Sequence, residues 1–242
     1  MSTLPNSYPP TLLARPAPRV RVPAPTVERT SDAPLAQAII LGVFSASFGY
    51  ALLRYVVLGT VSATQTPAYL LNKALAVAGT LLLALVAASA VVAARVPALA
   101  RLAALRAPLG LAGFAMAAGH ALLTMALLSP AYYPRIFIGS GKLTVWGELA
   151  LATGLVSLAL LVMPALTSFA GVRAAMEPRA WKRLQSLSVT ALGLTGLHVA
   201  AMGWTTWTAA SAATWPGGMP PLTLLSFAVV TAAFGARRLK KK

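Results

Sequence analysis

Six long apolar segments dominate this chain of 242 residues. The chain is 58% hydrophobic and 10% charged, whereas a soluble domain carries about 25% charged residues. A membrane-spanning helix needs about 20 mostly apolar residues, because each backbone polar group must find its partner inside the segment. The segments run over about 35–58, 70–94, 109–128, 144–169, 187–210 and 221–236, and the last is the shortest. The sequence therefore predicts an all-α membrane protein, a bundle of six transmembrane helices that contacts lipid.

The remaining composition excludes several classes of site. There are no cysteines, which excludes disulfides, iron–sulfur clusters and thiolate chemistry. The four acidic residues are too few for a carboxylate metal cage. A net charge of +16 resembles that of a nucleic-acid-binding protein, but the bases cluster between apolar segments and at the chain ends. We therefore expect no nucleic-acid partner.

The distribution of Lys and Arg predicts the orientation in the membrane. With the N-terminus inside, all but four of the 20 bases lie on the inner side, as the positive-inside rule requires. Both termini of this multi-pass protein are therefore expected in the cytoplasm, and the membrane is expected to be a bacterial inner (plasma) membrane. The four exceptions lie at predicted outer helix ends or in the outer loop; they are Arg54, Lys73, Arg135 and Lys142.

Composition divides the chain into three parts. Residues 1–33 are rich in Pro and Arg and lack the apolar core of a signal peptide, so they are predicted to form a disordered cytoplasmic arm. Residues 34–236 contain the six apolar segments. Residues 237–242 form a basic cytoplasmic tail, which anionic lipid attracts.

The only two histidines, His120 and His198, both lie within apolar segments. His120 follows Arg106 by 14 residues and His198 follows Arg183 by 15. At a rise of 1.5 Å per residue, both imidazoles lie about 21–22 Å along helices that run in the same direction. Two histidines at matching depth on neighbouring helices can hold a haem iron from both faces.

Three other interpretations of the histidines stay open at this point. The pair can be structural or can handle protons, since polar groups inside membranes usually form interhelical hydrogen bonds or serve function. Zinc or copper would require a third or fourth ligand. A methionine can replace one imidazole as an axial ligand; the candidates are Met116, Met125 and Met202.

Three motifs resemble the ferric-reductase-like transmembrane domain. Arg106-Ala-Pro-Leu-Gly-Leu-Ala-Gly-Phe, running on to His120, is similar to that family's third-helix pattern. Pro164-Ala-Leu-Thr-Ser168 resembles the end of its fourth helix, and Trp181-Lys-Arg-Leu-Gln185, thirteen residues before His198, resembles its fifth-helix signature. The resemblance covers about residues 35–235 and is greatest to haem-bearing membrane subunits of the YedZ/MsrQ type.

The resemblance implies a single haem b near the outer face, held by His120 and His198. Two-haem members carry a second, inner pair of histidines, where this chain has Gln185 and Arg106. Because the sequence ends at Lys242 with no flavin or nicotinamide domain, electrons are expected from quinol or another donor. The acceptor is expected to be a protein redox partner at the outer face or part of a larger membrane complex.

This function makes the chain an electron-transfer component of an oxidoreductase rather than a self-contained enzyme. The four outer cations, Arg54, Lys73, Arg135 and Lys142, are candidates to bind haem propionates, although anchoring at the interface explains each one alone. Gln185, Ser186 and Glu148 are weaker candidates for a quinone site. The alternative functions are a non-catalytic scaffold subunit of a larger complex and a small transporter or proton channel.

Overall fold

Six long helices form the molecule, in agreement with the predicted fold class. The computed structural model describes residues 32–59, 66–96 and 99–238. Each long helix, alone or with an adjoining turn, is long and apolar enough to cross a membrane. Numbered in chain order, they are α1 (Ala33–Leu52), α2 (Thr66–Arg95), α4 (Arg106–Leu127), α5 (Val145–Leu166), α7 (Pro178–Gly203) and α9 (Leu222–Arg238). The short helices are α3 (Arg101–Ala104), α6 (Ala170–Ala174) and α8 (Ala209–Ala212).

These described ranges contain no β-strand, only one isolated bridge between Phe137 and Leu143 in the α4–α5 loop. Nearly all of the predicted arm, residues 1–31, and most of the predicted tail, residues 239–242, lie outside the described residues. The disorder of the arm and the cytoplasmic position of both segments therefore stay predictions.

The fifth span differs most from the hydropathy pattern. The pattern predicts a segment over 187–210, whereas α7 runs from Pro178 to Gly203. Proline is well tolerated in the first turn of a helix, because its missing N–H needs no partner there. The basic residues that follow it lower the hydropathy of this stretch without preventing helix formation. After Gly203 the backbone tightens into a 3-10 turn, Trp204–Thr206.

The sixth span, predicted over 221–236, is α9, a helix of 17 residues. With the residues before it, from Pro216, this span reaches 23 residues, which is long enough to cross the hydrocarbon core of a bilayer. The shortest predicted segment is therefore a full-length span.

Helix α2 occupies the centre of the bundle and packs against α1, α4 and α9. Its residues Leu82, Val77 and Ala84 contribute to three separate buried apolar clusters. A side chain at Gly79 would place its Cβ 3.1 Å from the carbonyl oxygen of Gly113. Glycine at this position therefore permits the close approach of α2 and α4, as small residues do in membrane bundles.

The other extensive packing is between α5 and α7. By contrast, α4 and α7 are not a closely packed pair among the described helices. The space between α4 and α7 is therefore available for side chains and a cavity.

Candidate functional site

His120 on α4 and His198 on α7 meet across the space between these helices. Their ring centroids are 6.3 Å apart and the ring planes are inclined by 71°. The rings are half-buried, because both line a cavity inside the bundle. The structure thus brings the two histidines singled out by the sequence to one place.

Each imidazole is held through its Nδ1 atom. His120 Nδ1 lies 2.6 Å from Asn72 Oδ1, and His198 Nδ1 lies 2.7 Å from the carbonyl oxygen of Ala150. Both oxygens are acceptors, so both Nδ1 atoms carry the proton and donate. In a neutral imidazole this leaves the lone pair on Nε2. Metal-ligating histidines commonly show this arrangement, with the second nitrogen donating to an oxygen.

Asn72 belongs to a buried hydrogen-bond network that sequence reasoning missed. The side chain is 1% exposed, and its Nδ2 donates to the hydroxyl of Tyr133 at 2.5 Å and to that of Thr124 at 3.2 Å. Tyr133 lies in the α4–α5 loop, so Asn72 connects His120 to that loop. The sequence did contain an indication of this network. Asn72 is a single amide in the apolar segment of α2, and buried polar groups in membranes are rare.

Gly154 on α5 provides the room for the His198 ring. A Cβ atom at this position would lie 2.8 Å from His198 Nδ1 and 3.1 Å from Cε1. Such separations are below van der Waals contact, so any larger residue would displace the imidazole. The hydrogen bond to Ala150, one turn earlier on α5, requires the ring to lie this close to the helix.

The cavity around the histidines, here called the histidine cavity, is mainly apolar and has an empty volume of about 1250 Å³, counting its open mouth. Met125 and Met202, two of the alternative axial ligands, line it together with the histidines. The third, Met116, packs instead against the buried cluster that includes Leu82.

The histidine pair fits the spacing that a six-coordinate iron requires. Metal–imidazole distances of about 2.0–2.1 Å, and about 1.15 Å from nitrogen to ring centroid, give centroids about 6.3–6.5 Å apart. The observed separation is 6.3 Å. The inclination of 71° is compatible, because both planes can contain the metal–nitrogen axis while one is rotated about it. Both values are those that a bis-imidazole site would show with the two Nε2 atoms facing each other.

Other metal sites receive less support. Within the described residues, no three His, Cys, Asp or Glu side chains lie together. Zinc and copper sites usually take three or four protein ligands. Two imidazoles are therefore better suited to a metal whose other ligands come from a cofactor, such as the four nitrogens of a porphyrin, than to a metal bound by protein alone.

Three of the four predicted outer cations line a second cavity, here called the cationic cavity: Arg54, Lys73 and Arg135. It has an empty volume of about 1940 Å³. The two cavities adjoin, since Lys73, Tyr55 and Tyr133 belong to the walls of both. Lys142 is exposed and lines neither cavity, so the structure does not bring it to the site.

The weaker candidates for a quinone site have other contacts. Gln185 Nε2 donates at 3.0 Å both to the carbonyl of Pro164 and to Thr167 Oγ1. Ser186 donates to a carbonyl of its own helix, and Glu148 is an exposed residue in the first turn of α5. Gln185 therefore connects α7 to the end of α5.

A scan against models of known protein families and a search of curated proteins found no match for this chain. The resemblance to the ferric-reductase-like domain accordingly stays a prediction that depends on the three motifs.

Proposed function

We propose that this chain is a membrane electron-transfer protein that holds one haem b between His120 and His198. The observation that carries the proposal is the pair of imidazoles 6.3 Å apart, each with its Nδ1 bonded to an oxygen. In the part of the chain that the structure describes, the hydrogen bonds of both rings are made through Nδ1, which leaves both Nε2 lone pairs for a metal that would take two imidazoles.

The protein's own residues supply ligation, orientation and charge. Asn72 and the Ala150 carbonyl fix the tautomer of each imidazole and so direct a lone pair from each Nε2. The wall of the histidine cavity is mainly apolar, and Lys73 adds positive charge beside it. Bound haem would supply a one-electron couple of iron. With both imidazoles as ligands, the haem would offer no coordination position to a substrate, so the chain would relay electrons rather than transform a bound molecule.

The proposed path depends on the orientation predicted from the bases. With both termini in the cytoplasm, the histidine and cationic cavities lie toward the outer face of a bacterial inner membrane. Electrons enter from quinol or another donor and leave to a protein partner at that face. This arrangement agrees with the resemblance to YedZ/MsrQ-type membrane subunits of the ferric-reductase-like family.

Optical spectra of the purified protein test the proposal. We expect a b-type spectrum, with a Soret band that shifts on reduction by dithionite, from protein produced with ample haem. His120→Ala and His198→Ala should each abolish or strongly alter this spectrum. Leu122→Ala is the matched control, because Leu122 lies on the same helix and is 73% exposed.

Each outcome separates the proposal from its alternatives. One histidine variant could keep the haem spectrum while Met125→Ala or Met202→Ala loses it. That result would show that the methionine, and not that histidine, is the second haem ligand. A folded but colourless protein would instead favour the scaffold subunit. Co-purification with a stoichiometric partner would then identify the complex.

A further inference from the structure

The buried guanidinium of Arg54 is the starting point. Arg54 lies in a π-helical turn, Leu53–Val57, that follows α1, and π-turns often occur at functional sites. The residue is 6% exposed. One terminal nitrogen donates to the carbonyl of Met219, but the Nε atom is buried without a hydrogen-bond partner. A buried cation in this state is costly unless an anion pairs with it.

The described part of the chain supplies no such anion. None of its carboxylates forms an ion pair with Arg54, Lys73 or Arg135. Lys73 instead makes cation–π contacts. Its Nζ lies 5.1 Å from the ring centroid of Tyr69 and 5.6 Å from that of Tyr133. The cations therefore converge on the cationic cavity with their charges uncompensated by acids.

The cationic cavity is suited to an anion with several separated charges. Arg54, Lys73 and Arg135 come from three different segments, and hydroxyl groups of Thr205, Ser211 and other residues complete the wall. Guanidinium groups form paired hydrogen bonds with carboxylates. Three cations in one wall favour a ligand that carries several carboxylates over one that carries a single charge.

We propose that the cationic cavity binds a free small organic polycarboxylate. Arg54 and Arg135 line this cavity alone, whereas Lys73 also lines the histidine cavity. The ligand therefore lies beside the histidine site but does not depend on iron binding there. Haem propionates carry the same carboxylate chemistry and are the rival source that the experiment must separate.

Thermal unfolding of the purified protein in detergent, titrated with citrate at constant ionic strength, tests the proposal. A ligand that binds only the folded state raises the melting temperature, and the rise grows with the logarithm of ligand concentration above the Kd. We expect such a rise with citrate and none with its uncharged trimethyl ester. Arg54→Gln and Arg135→Gln should each raise the citrate concentration needed for a given rise by about tenfold, the typical effect of losing a charged hydrogen bond.

Arg179→Gln is the control, since Arg179 is an exposed cation at the start of α7; its titration should equal that of the wild type. Arg135 is exposed on the α4–α5 loop, so its substitution should not affect folding. The Arg135→Gln titration therefore decides the test if Arg54→Gln does not fold. An equal rise with the ester, or unchanged titrations in both variants, would overturn the proposal.

The two carboxylate sources are separated by titrating haem-loaded and haem-free protein. Citrate should stabilise both preparations if the cavity binds a free anion. A response confined to haem-free protein would show that propionates occupy the cations, and the proposal would be wrong. The melting temperature can be measured on protein without haem. A colourless protein that binds citrate would therefore refute the electron-transfer function and leave the polycarboxylate proposal standing.

Discussion

At the scale of single residues, the two histidines differ in what holds them. His198 donates to a main-chain carbonyl, which no side-chain substitution removes, whereas His120 donates to the side chain of Asn72. The Asn72 amide also donates to Tyr133. A substitution of Asn72 can therefore change the orientation of the His120 ring while both proposed ligands, His120 and His198, stay in the chain.

Asn72→Leu should weaken haem retention by about ten- to a hundredfold, the usual effect of losing an outer-shell partner of a ligand. Loss of the acceptor leaves the Nδ1 proton of His120 with only the hydroxyl of Thr124, 3.4 Å away, and makes Nε2 less basic. The midpoint potential should accordingly rise, because a less basic ligand stabilises the oxidised iron less. Haem retention against a competing apoprotein and redox potentiometry measure the two effects.

Asn72→Asp is the matched control for this change. A carboxylate keeps the acceptor and strengthens it, so haem should be retained and the midpoint potential should fall below that of the wild type. Equal potentials in the two variants would contradict a positioning role for Asn72.

At the scale of elements, α5 and α7 are joined by a row of polar contacts on one face of each helix. Ser157 donates to the carbonyl of Ala191 at 2.8 Å and lies 2.9 Å from the hydroxyl of Thr195. One turn further along α7, His198 bonds Ala150. Since polar contacts stabilise helix pairs in lipid, this row determines how the ring of His198 lies against α5.

Gly154→Ala should displace His198 while leaving the bundle folded. The added Cβ would lie 2.8 Å from His198 Nδ1, and the imidazole must rotate away because the backbone of α5 cannot yield. We expect partial or complete loss of the haem spectrum with little change in the circular dichroism of the helices.

Gly110→Ala on α4 provides the comparison, since its Cβ would have no neighbour within 4 Å. Its spectrum should match that of the wild type. A normal spectrum in Gly154→Ala would show that the contact of α5 with His198 is unimportant for ligation.

At the scale of the whole molecule, the two cavities adjoin at the end of the bundle where α1 ends and α2 begins. The histidine cavity is apolar and the cationic cavity carries three of the four cations that the positive-inside rule leaves outside. The positive-inside rule counts charges only, so it treats these three cations as exceptions to the expected inner position of Lys and Arg. The structure places all three in the wall of one cavity.

Labelling of single cysteines tests the predicted orientation, and the absence of native cysteine makes the background clean. Gly139→Cys places a thiol on the exposed α4–α5 loop, and Ala175→Cys places one on the exposed loop before α7. In intact cells a membrane-impermeant maleimide should label position 139 at once and position 175 only after lysis. The reverse pattern would place the termini outside and reverse the proposed electron path.

Hydropathy predicted six spans, and the positions of His120 and His198 relative to Arg106 and Arg183 predicted their matching depth. Both follow from local physics, since helix rise converts sequence separation into depth and apolar length determines what crosses a bilayer. The ends of α7 were predicted less well, because a helix can continue through charged residues that hydropathy counts against it.

The tertiary structure decided which residues surround the histidines. Asn72 and His120 are 48 residues apart in the chain, and no periodicity within either segment indicates that they meet. Gly154 makes room for a ring on another helix, and Arg54 is distinguished from Lys142 by its burial and its place in the cavity wall. Such contacts depend on how small residues allow the helices to approach and rotate, which is a property of helix pairs rather than of any one segment.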